Sequence, residues 1–128
     1  MDVTPLVKKG QQIIQRYKGS AFQVSGKIYG SAVIVTPDAT QIWTPQALDV
    51  SGLTRADFQA IVDQMDTLDV VLLGCGAQMC FMPSKLKADL KAKGLSVDIM
   101  DTGAACRTYN VLMAEGRRVA AALLPYSA

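Results

Sequence analysis

Runs of aliphatic residues alternate with helical spacings in the second half of the chain. Residues 70–73 are consecutive aliphatic side chains, as is typical of a strand buried on both faces, and we expect this strand at the centre of a sheet. Pro83 begins a helix after a loop, and Gly94 stands where a helix end needs a left-handed residue. Residues 95–100 form the next strand. This order predicts a right-handed parallel βαβ unit over residues 69–100.

A further helix and strand are predicted after this unit. Thr102 is placed to cap a helix over residues 103–115, in which Val111 and Leu112 belong to the inner face. The last strand covers residues 117–124. Almost no loop separates it from the helix, so the pattern leaves the direction of this strand open.

The first half of the chain has mainly the pattern of β-structure. Residues 21–43 contain short apolar strands around a turn at residues 37–39, which predicts a hairpin or a small meander. Residues 11–18 fit either a helix or an extended edge segment, because a glycine stands close on each side. Thr54 has an acidic residue three positions later, and this capping box predicts a helix over residues 54–64.

The composition is that of one globular domain. Apolar residues make up 50% of the 128 and charged residues 19%, and no linker or repeat divides residues 1–128. The first residues lack the order of charge and hydrophobicity of a secretory signal, and the apolar runs are much shorter than the ~20 residues of a membrane span. We therefore expect a cytoplasmic protein that does not insert into membranes.

Charge and side-chain chemistry exclude several classes of function. The formal net charge is +2 and no block of like charges occurs in the sequence, which does not support binding to nucleic acid. The sequence contains no histidine, so histidine-based catalytic triads and mixed Cys/His zinc sites are excluded. No other nucleophile–base pair stands out, and we expect neither a metal nor a cofactor.

The three cysteines are expected to be reduced and buried. Cys75, Cys80 and Cys106 lack the C-x-x-C spacing of a redox pair or a zinc knuckle, and free cysteine is among the most buried residue types. Cys75 would be reactive only if it were exposed near a helix N-terminus.

A glycine pair follows the strand at residues 70–73. Gly74 and Gly76 superficially resemble a dinucleotide fingerprint, but Met79 occupies the third glycine position and Pro83 begins the helix too late to reach a pyrophosphate. A plain strand-ending turn is the simpler interpretation. Both glycines remain candidate site residues, because α/β sheets bind ligands beyond the carboxyl ends of their parallel strands.

The densest polar cluster of the chain spans residues 101–110. Beside the capping Thr102 it holds Arg107, Tyr109 and Asn110 within about one helical turn. Together with Arg117 downstream, these side chains could line a site for an anion or a carboxylate next to the glycine loop. Buried hydrogen bonds and ordinary surface charge are the alternative interpretation.

Four segments of the sequence resemble a known family. They are residues 30–35 (GSAVIV), 73–76 (LGCG), 100–112 (MDTGAACRTYNVL) and 115–120 (EGRRVA). Through them the chain is similar to the MTH-domain family, which includes an assembly factor of mitochondrial respiratory complex I. The likeness runs from about residue 13 to residue 124.

The resemblance implies an α/β fold of three layers with a mixed central sheet of about five strands, to which the pattern adds an N-terminal hairpin. It implies no established enzymatic activity and no cofactor, and this chain is similar to bacterial members of unknown function. Protein partners such as respiratory-complex subunits follow by analogy alone. We therefore expect a non-enzymatic binding or assembly-factor-type protein that uses the Gly74 loop and residues 102–110. The alternative is a protein or weak enzyme that binds a small anionic ligand in a pocket between them.

Overall fold

The structure, a computed structural model, describes residues 9–127. Eight strands occur in these residues: β1 (Ile14–Lys18), β2 (Ala21–Val24), β3 (Lys27–Tyr29), β4 (Val33–Val35), β5 (Thr40–Ile42), β6 (Val70–Gly74), β7 (Asp98–Met100) and β8 (Val119–Leu123). The α-helices of the same residues are α1 (Gln59–Val62), α2 (Ser84–Ala92) and α3 (Thr102–Ala114). Short 3-10 helices lie at Val50–Gly52, Arg55–Phe58 and Met65–Thr67.

Five of the strands form a mixed sheet in the order β5-β4-β8-β6-β7. Strand β6 is parallel to both β7 and β8, which confirms the parallel pairing predicted for residues 69–100. Strand β8 is antiparallel to β4, so its direction, which the sequence left open, is now defined. The expectation that residues 70–73 form the centre of the sheet is wrong. The central strand is β8, because β8 pairs with β4, far away in the sequence, on its other side.

The sheet separates two hydrophobic cores. Along β6, Leu72 points to the face that is covered by α3 and strands β1 and β2, whereas Val71 and Leu73 point to the face covered by α1, α2 and the 3-10 helices. Strand β4 alternates in the same way, and its Ile34 faces the core that α1, α2 and the 3-10 helices cover. The result is a layered mixed α/β fold with a five-stranded central sheet, as the family resemblance implied.

The remaining strands form a smaller antiparallel sheet in the order β1-β2-β3. Residues 11–18 therefore contribute a strand, and the edge-segment alternative is the one that the structure adopts. The small sheet confirms a hairpin near the N-terminus and adds a third strand to it, whereas the predicted turn at residues 37–39 joins β4 and β5 at the edge of the central sheet. Phe22 and Val24 of β2 are buried against α3, which ties the small sheet to the central one.

Two predicted helices differ from the structure. The segment over residues 54–64 is a 3-10 turn followed by the single turn α1, although the capping box is present, with the Asp57 carboxylate accepting from the Thr54 N–H at 2.8 Å. The Trp43 indole N–H donates to the Asp57 carbonyl at 2.7 Å and takes an acceptor that a regular helix would use. In α3, Val111 is 58% exposed rather than on the inner face, where Tyr109 and Met113 are buried.

The strand predicted over residues 95–100 is shorter than expected, since only Asp98–Met100 pair with β6. Gly94 has φ +87°, the left-handed conformation that its position after α2 requires. Among the described residues, no helix has both the length and the apolar character needed to cross a membrane.

Candidate functional site

Gly74, Gly76 and Thr102 meet where α3 begins. The buried Thr102 hydroxyl accepts from the Gly76 N–H at 2.8 Å and donates to the Leu124 carbonyl at 2.8 Å, and the Thr102 N–H donates to the Gly76 carbonyl at 2.8 Å. The Leu124 N–H in turn donates to the Gly74 carbonyl at 2.9 Å. These bonds join the ends of β6 and β8 to the first residue of α3. We call this arrangement the α3 junction.

Position 74 in the junction is tightly packed, and a side chain there would have to displace its neighbours. A Cβ atom there would lie 3.0 Å from both Cα and Oγ1 of Thr102 and 3.0 Å from Cδ2 of Leu123. Helix α3 therefore approaches the sheet as closely as it does because residue 74 has no side chain. Gly76 has φ +110°, a backbone conformation that L side chains rarely adopt. Both glycines have structural reasons for their presence.

The cap of α3 is not the predicted residue. Asp101 is the N-cap, and its Oδ1 accepts from the Ala104 N–H at 2.9 Å, while Thr102 is the first helical residue. The sequence prediction placed the cap one position late, because threonine and aspartate are both good caps. Asp101 also adds a negative charge at the helix N-terminus, and the Thr102 N–H is already bonded to Gly76. The start of α3 thus has less capacity to bind a second anion.

Arg107 lies on the exposed side of α3 near the junction. Its Nη1 donates to the Tyr17 hydroxyl at 3.0 Å, and the Tyr17 ring lies 5.3 Å from the ring of Tyr126, which follows β8. Gly103 allows this contact, since a Cβ atom at residue 103 would lie 2.6 Å from the Tyr17 oxygen. The structure therefore brings Arg107 close to the α3 junction, in a cluster with two tyrosines at the surface.

Tyr109 and Asn110 turn away from this cluster and hold the N-terminal segment. The Tyr109 hydroxyl donates to the Gln12 carbonyl at 2.7 Å, and the Asn110 side chain accepts from the Ile14 N–H at 2.9 Å and donates to the Ile14 carbonyl at 2.7 Å. Burial raises the pKa of Tyr109. These two predicted site residues have their polar groups satisfied by the backbone before and within β1.

Arg117 is not brought together with the other predicted site residues. It follows the C-terminal end of α3, and a helix of this length separates the two ends by roughly 20 Å. Arg117 instead lines a cavity of about 270 Å³ beside Asp38, Gln64 and Arg118. This cavity lies at the end of the sheet where β6 and β8 begin. The prediction that Arg117 completes a site next to the glycine loop is corrected on this geometry.

The thiols of Cys75 and Cys80 contribute to the loop that leaves the junction. Both donate to the Gln78 carbonyl, at 3.1 and 3.4 Å, and so hold the loop closed at its base. Cys75 is buried, and this burial raises its pKa to about 11. The exposure on which its reactivity depends is absent. Among the described residues, no three acidic or cysteine side chains converge as metal ligands would.

The same loop carries apolar side chains that the sequence prediction did not select. Phe81 is 90% exposed and Met79 is 58% exposed, just before Pro83 leads into α2. We call residues 76–82 the Phe81 loop. A signal was available in the sequence, because three large apolar residues, Met79, Phe81 and Met82, stand in a loop bounded by Gly76 and Pro83. Hydrophobic periodicity does not detect residues outside helices and strands.

This fold and these sequence features place the chain in a known family. It belongs to the family described as "Protein of unknown function (DUF498/DUF598)", whose model matches residues 14–124. The chain is 36% identical over 112 residues to an uncharacterized protein of Rhodobacter capsulatus, covering 88% of this chain and 83% of the relative. The resemblance seen in the sequence is confirmed, and the relative is a bacterial protein without an assigned function.

Two further comparisons extend this result. The chain is 30% identical over 114 residues to NADH dehydrogenase (ubiquinone) 1 alpha subcomplex assembly factor 3 of Danio rerio, which covers 88% of this chain. It spans 64% of that protein's length. The solution structure of an Mth938-like domain from Bordetella pertussis matches with a TM-score of 0.76 and 25% identity, covering 99% of this chain and 94% of that one. The chain is thus related to assembly-factor proteins and has the Mth938-like fold.

Proposed function

We propose that this chain is a non-enzymatic, partner-binding protein of the assembly-factor type. Its contact surface consists of the Phe81 loop and the exposed side of α3 around Arg107. The observation that carries the proposal is the exposure of Phe81, at 90%, on a loop that is fixed at its base by the α3 junction. Partners related to respiratory-complex subunits are the finer part of the proposal, and the assembly-factor relative supports it.

An exposed aromatic side chain on a fixed loop is well suited to anchor a protein complex. Aromatic and arginine side chains contribute most of the binding free energy of many protein interfaces, and here Phe81 supplies the first type and Arg107 the second. The shared hydrogen bonds from Cys75 and Cys80 to the Gln78 carbonyl restrict the loop before a partner arrives. Such restriction lowers the entropy that is lost on binding.

A small anionic ligand between the glycine loop and α3 has less support from the geometry. The Thr102 N–H, the Ala104 N–H and the Thr102 hydroxyl are all engaged within the protein. Tyr109 and Asn110 point toward Gln12 and Ile14 rather than into a shared pocket. An anion would also meet the Asp101 carboxylate at the helix start. We therefore retain the partner-binding function as the conclusion.

Affinity capture from cells that naturally express the chain tests this proposal. The tagged protein is compared with a Phe81→Ala variant and with an Arg107→Ala variant, and the recovered proteins are identified by mass spectrometry. We expect the wild type to recover respiratory-complex subunits or other assembly proteins, and we expect each variant to recover them at a level reduced by about tenfold or more.

A matched control separates the proposed surface from exposed apolar residues in general. Ile42 is 62% exposed and lies on β5, at the opposite edge of the central sheet from β7. The Ile42→Ala variant should recover the same proteins as the wild type. Equal recovery by wild type, Phe81→Ala and Arg107→Ala would contradict the proposed surface. Binding of a small anion by the wild type, lost in Arg107→Ala, would favour the ligand alternative instead.

Two further expectations belong to the same proposal. The cytoplasmic location stays a prediction, and fractionation of the host cells with an antibody to the chain tests it. The single domain over residues 1–128 is likewise proposed rather than tested. Unfolding in urea, followed by Trp43 fluorescence and by far-ultraviolet circular dichroism, should give coincident transitions if the chain unfolds as one unit.

A further inference from the structure

The charges of the described chain are unevenly distributed along the sequence. Residues 9–37 contain Lys9, Arg16, Lys18 and Lys27 and no acidic residue. Residues 38–69 contain six aspartates and a single basic residue, Arg55. A net charge of +2 for the whole chain conceals this separation. Strands β1 to β3 lie within residues 9–37, so the small sheet carries most of these basic residues.

The strand register places two of these cations side by side on the outer face of the small sheet. Arg16 pairs with Gln23, which pairs with Ile28, and Lys18 pairs with Ala21. The neighbouring row, Tyr17, Phe22 and Tyr29, packs against the core on the inner face. Alternation along β1 therefore directs Arg16 and Lys18 to the same side, away from α3.

These cations have no acidic partner among residues 9–127. Arg16 and Lys18 make no ion pair with a described residue, in contrast to Arg118, whose guanidinium donates to Asp69 at 2.7 Å. The Lys27 ammonium, at the rim, lies 5.2 Å from the centre of the Tyr29 ring. Uncompensated cations close together produce a positive potential that attracts acidic surfaces.

An apolar contact point lies among the cations. Ile28 is 70% exposed, and with Arg16 and Lys18 it lines a shallow cleft of about 110 Å³. The aromatic rings of the sheet face inward, so the outer face offers no platform on which nucleic-acid bases could stack. Membrane binding through charge usually needs a denser cluster of cations and aromatic residues that insert into lipid. The combination favours a protein partner with acidic and apolar side chains.

We infer that the outer face of β1–β3, with Arg16, Lys18 and Ile28 at its centre, is a second docking surface that binds an acidic segment of a partner protein. It differs from the Phe81 loop in chemistry, since charge rather than an aromatic anchor dominates it. Carboxylates of the segment pair with Arg16 and Lys18, and an apolar side chain of the segment contacts Ile28. We call this surface the basic face.

Fluorescence anisotropy with labelled poly-L-glutamate tests the charge component. We expect the wild type to bind at low ionic strength, with an affinity that falls as salt is added. The double variant Arg16→Glu, Lys18→Glu should bind about tenfold more weakly or worse, because like charges now face the probe. The matched control is Arg55→Glu, Lys93→Glu, at two exposed cations that belong to different elements. It makes the same change in net charge elsewhere and should bind within about twofold of the wild type.

A second probe tests the apolar component. A glutamate–leucine copolymer should bind more tightly than poly-L-glutamate, and Ile28→Ala should remove this difference while leaving poly-L-glutamate binding unchanged. The neutral double variant Arg16→Gln, Lys18→Gln keeps the test valid if charge reversal disturbs folding. Ile42→Ala, at an exposed residue outside both proposed surfaces, should bind both probes as the wild type does. Partner capture by Phe81→Ala tests the loop separately, so failure of the loop proposal and failure of this one are distinguishable.

Three results would overturn the inference. An equal loss of binding in the Arg16, Lys18 variant and in the Arg55, Lys93 variant would mean that the probe responds to net charge alone. Tighter binding to vesicles that contain phosphatidylglycerol, or to duplex DNA, than to the copolymer would assign the basic face to a membrane or to a nucleic acid. No binding to either polypeptide at low ionic strength would reject an acidic partner.

Discussion

The α3 junction and the Phe81 loop are adjacent along the chain and opposite in character. In the junction, the polar atoms of Thr102 are fully buried and each has a partner within the protein. In the loop that begins at Gly76, the apolar side chains of Met79 and Phe81 are exposed. A polar residue in the core and an apolar residue at the surface both depart from the usual distribution.

The two departures have different causes. Burial of Thr102 joins three chain segments and supports the fold, whereas exposure of Phe81 gives no benefit to the folded state of the isolated chain. An exposed aromatic residue therefore points to a function more directly than a dense polar cluster does. The predictions below test whether the junction contributes stability and the loop contributes none.

Among substitutions in the junction and the loop, the largest effect on stability is expected at Thr102. Thr102→Val preserves the shape of the side chain but removes the partner of the Gly76 N–H and of the Leu124 carbonyl. A buried polar group left without a partner costs about 1–3 kcal/mol, so we expect the free energy of unfolding to fall by about 2–4 kcal/mol in urea denaturation. Thr102→Ser keeps the hydroxyl and should lose about 1 kcal/mol. A valine variant as stable as the serine variant would contradict the role of the junction.

A smaller loss is expected at the contact between α3 and the N-terminal segment. Tyr109→Phe removes the donor to the Gln12 carbonyl without changing the packing of the ring. We expect the free energy of unfolding to fall by about 1–2 kcal/mol. Relative to the wild type, deuterium exchange should accelerate more at the backbone amides of β1 than at those of β6. Uniform acceleration in β1 and β6 would show that Tyr109 supports the whole fold rather than the small sheet.

These residues also explain where sequence reasoning succeeded. Continuous aliphatic runs and the glycine at position 94 predicted strand β6 and helix α2, because such patterns are local. The length of the segment between the strands then predicted that β6 and β7 are parallel. The order of strands depends on contacts between distant residues. Strand β8 occupies the centre although alanines, which have low strand propensity, fill most of it, because these small side chains let layers on both faces pack closely.

The candidate site was predicted only in part for the same reason. The sequence selected residues 74, 76 and 102 as candidate site residues, and the structure brings them together, but the sequence could not show that their polar groups bond to one another or to Leu124. It grouped Arg117 with Arg107 by proximity in the chain, although a helix separates them. The opposed directions of Arg107 and Tyr109 depend on the position of β1, which packs on α3 from about ninety residues away.

Removal of the exposed apolar side chains should leave stability almost unchanged. We expect the double variant Met79→Ala, Phe81→Ala to unfold within about 0.5 kcal/mol of the wild type, since substitutions at exposed positions rarely have larger effects. Phe58→Ala, at a fully buried aromatic residue, serves as the contrast and should lose about 3–5 kcal/mol. A large loss in the loop variant would mean that Phe81 packs within the fold and is not free to bind a partner.

The smallest effect on stability is expected from ionisation of the buried cysteines, because at neutral pH it should not change the free energy of unfolding. Burial raises the pKa of Cys75 to about 11 and that of Cys106 to about 12, so both thiols are protonated in the folded and the unfolded chain near pH 7. A raised pKa in the folded state means that the unfolded chain releases these protons first as pH increases. Their contribution to stability is therefore complete below about pH 9 and is lost as pH rises toward 11 and 12.

The same burial predicts the order of alkylation by iodoacetamide at pH 8. Cys80 is half-buried and should react first, whereas Cys75 and Cys106 are buried and should react slowly. For Cys75, the raised pKa alone lowers the thiolate fraction by about a hundredfold relative to an ordinary thiol. Peptide mass spectrometry over time measures the three rates, and the chain in urea supplies the unprotected reference. Rapid labelling of Cys75 in the folded chain would show that the base of the Phe81 loop opens, and a loop that opens there would bind its partner with a larger loss of entropy than we infer.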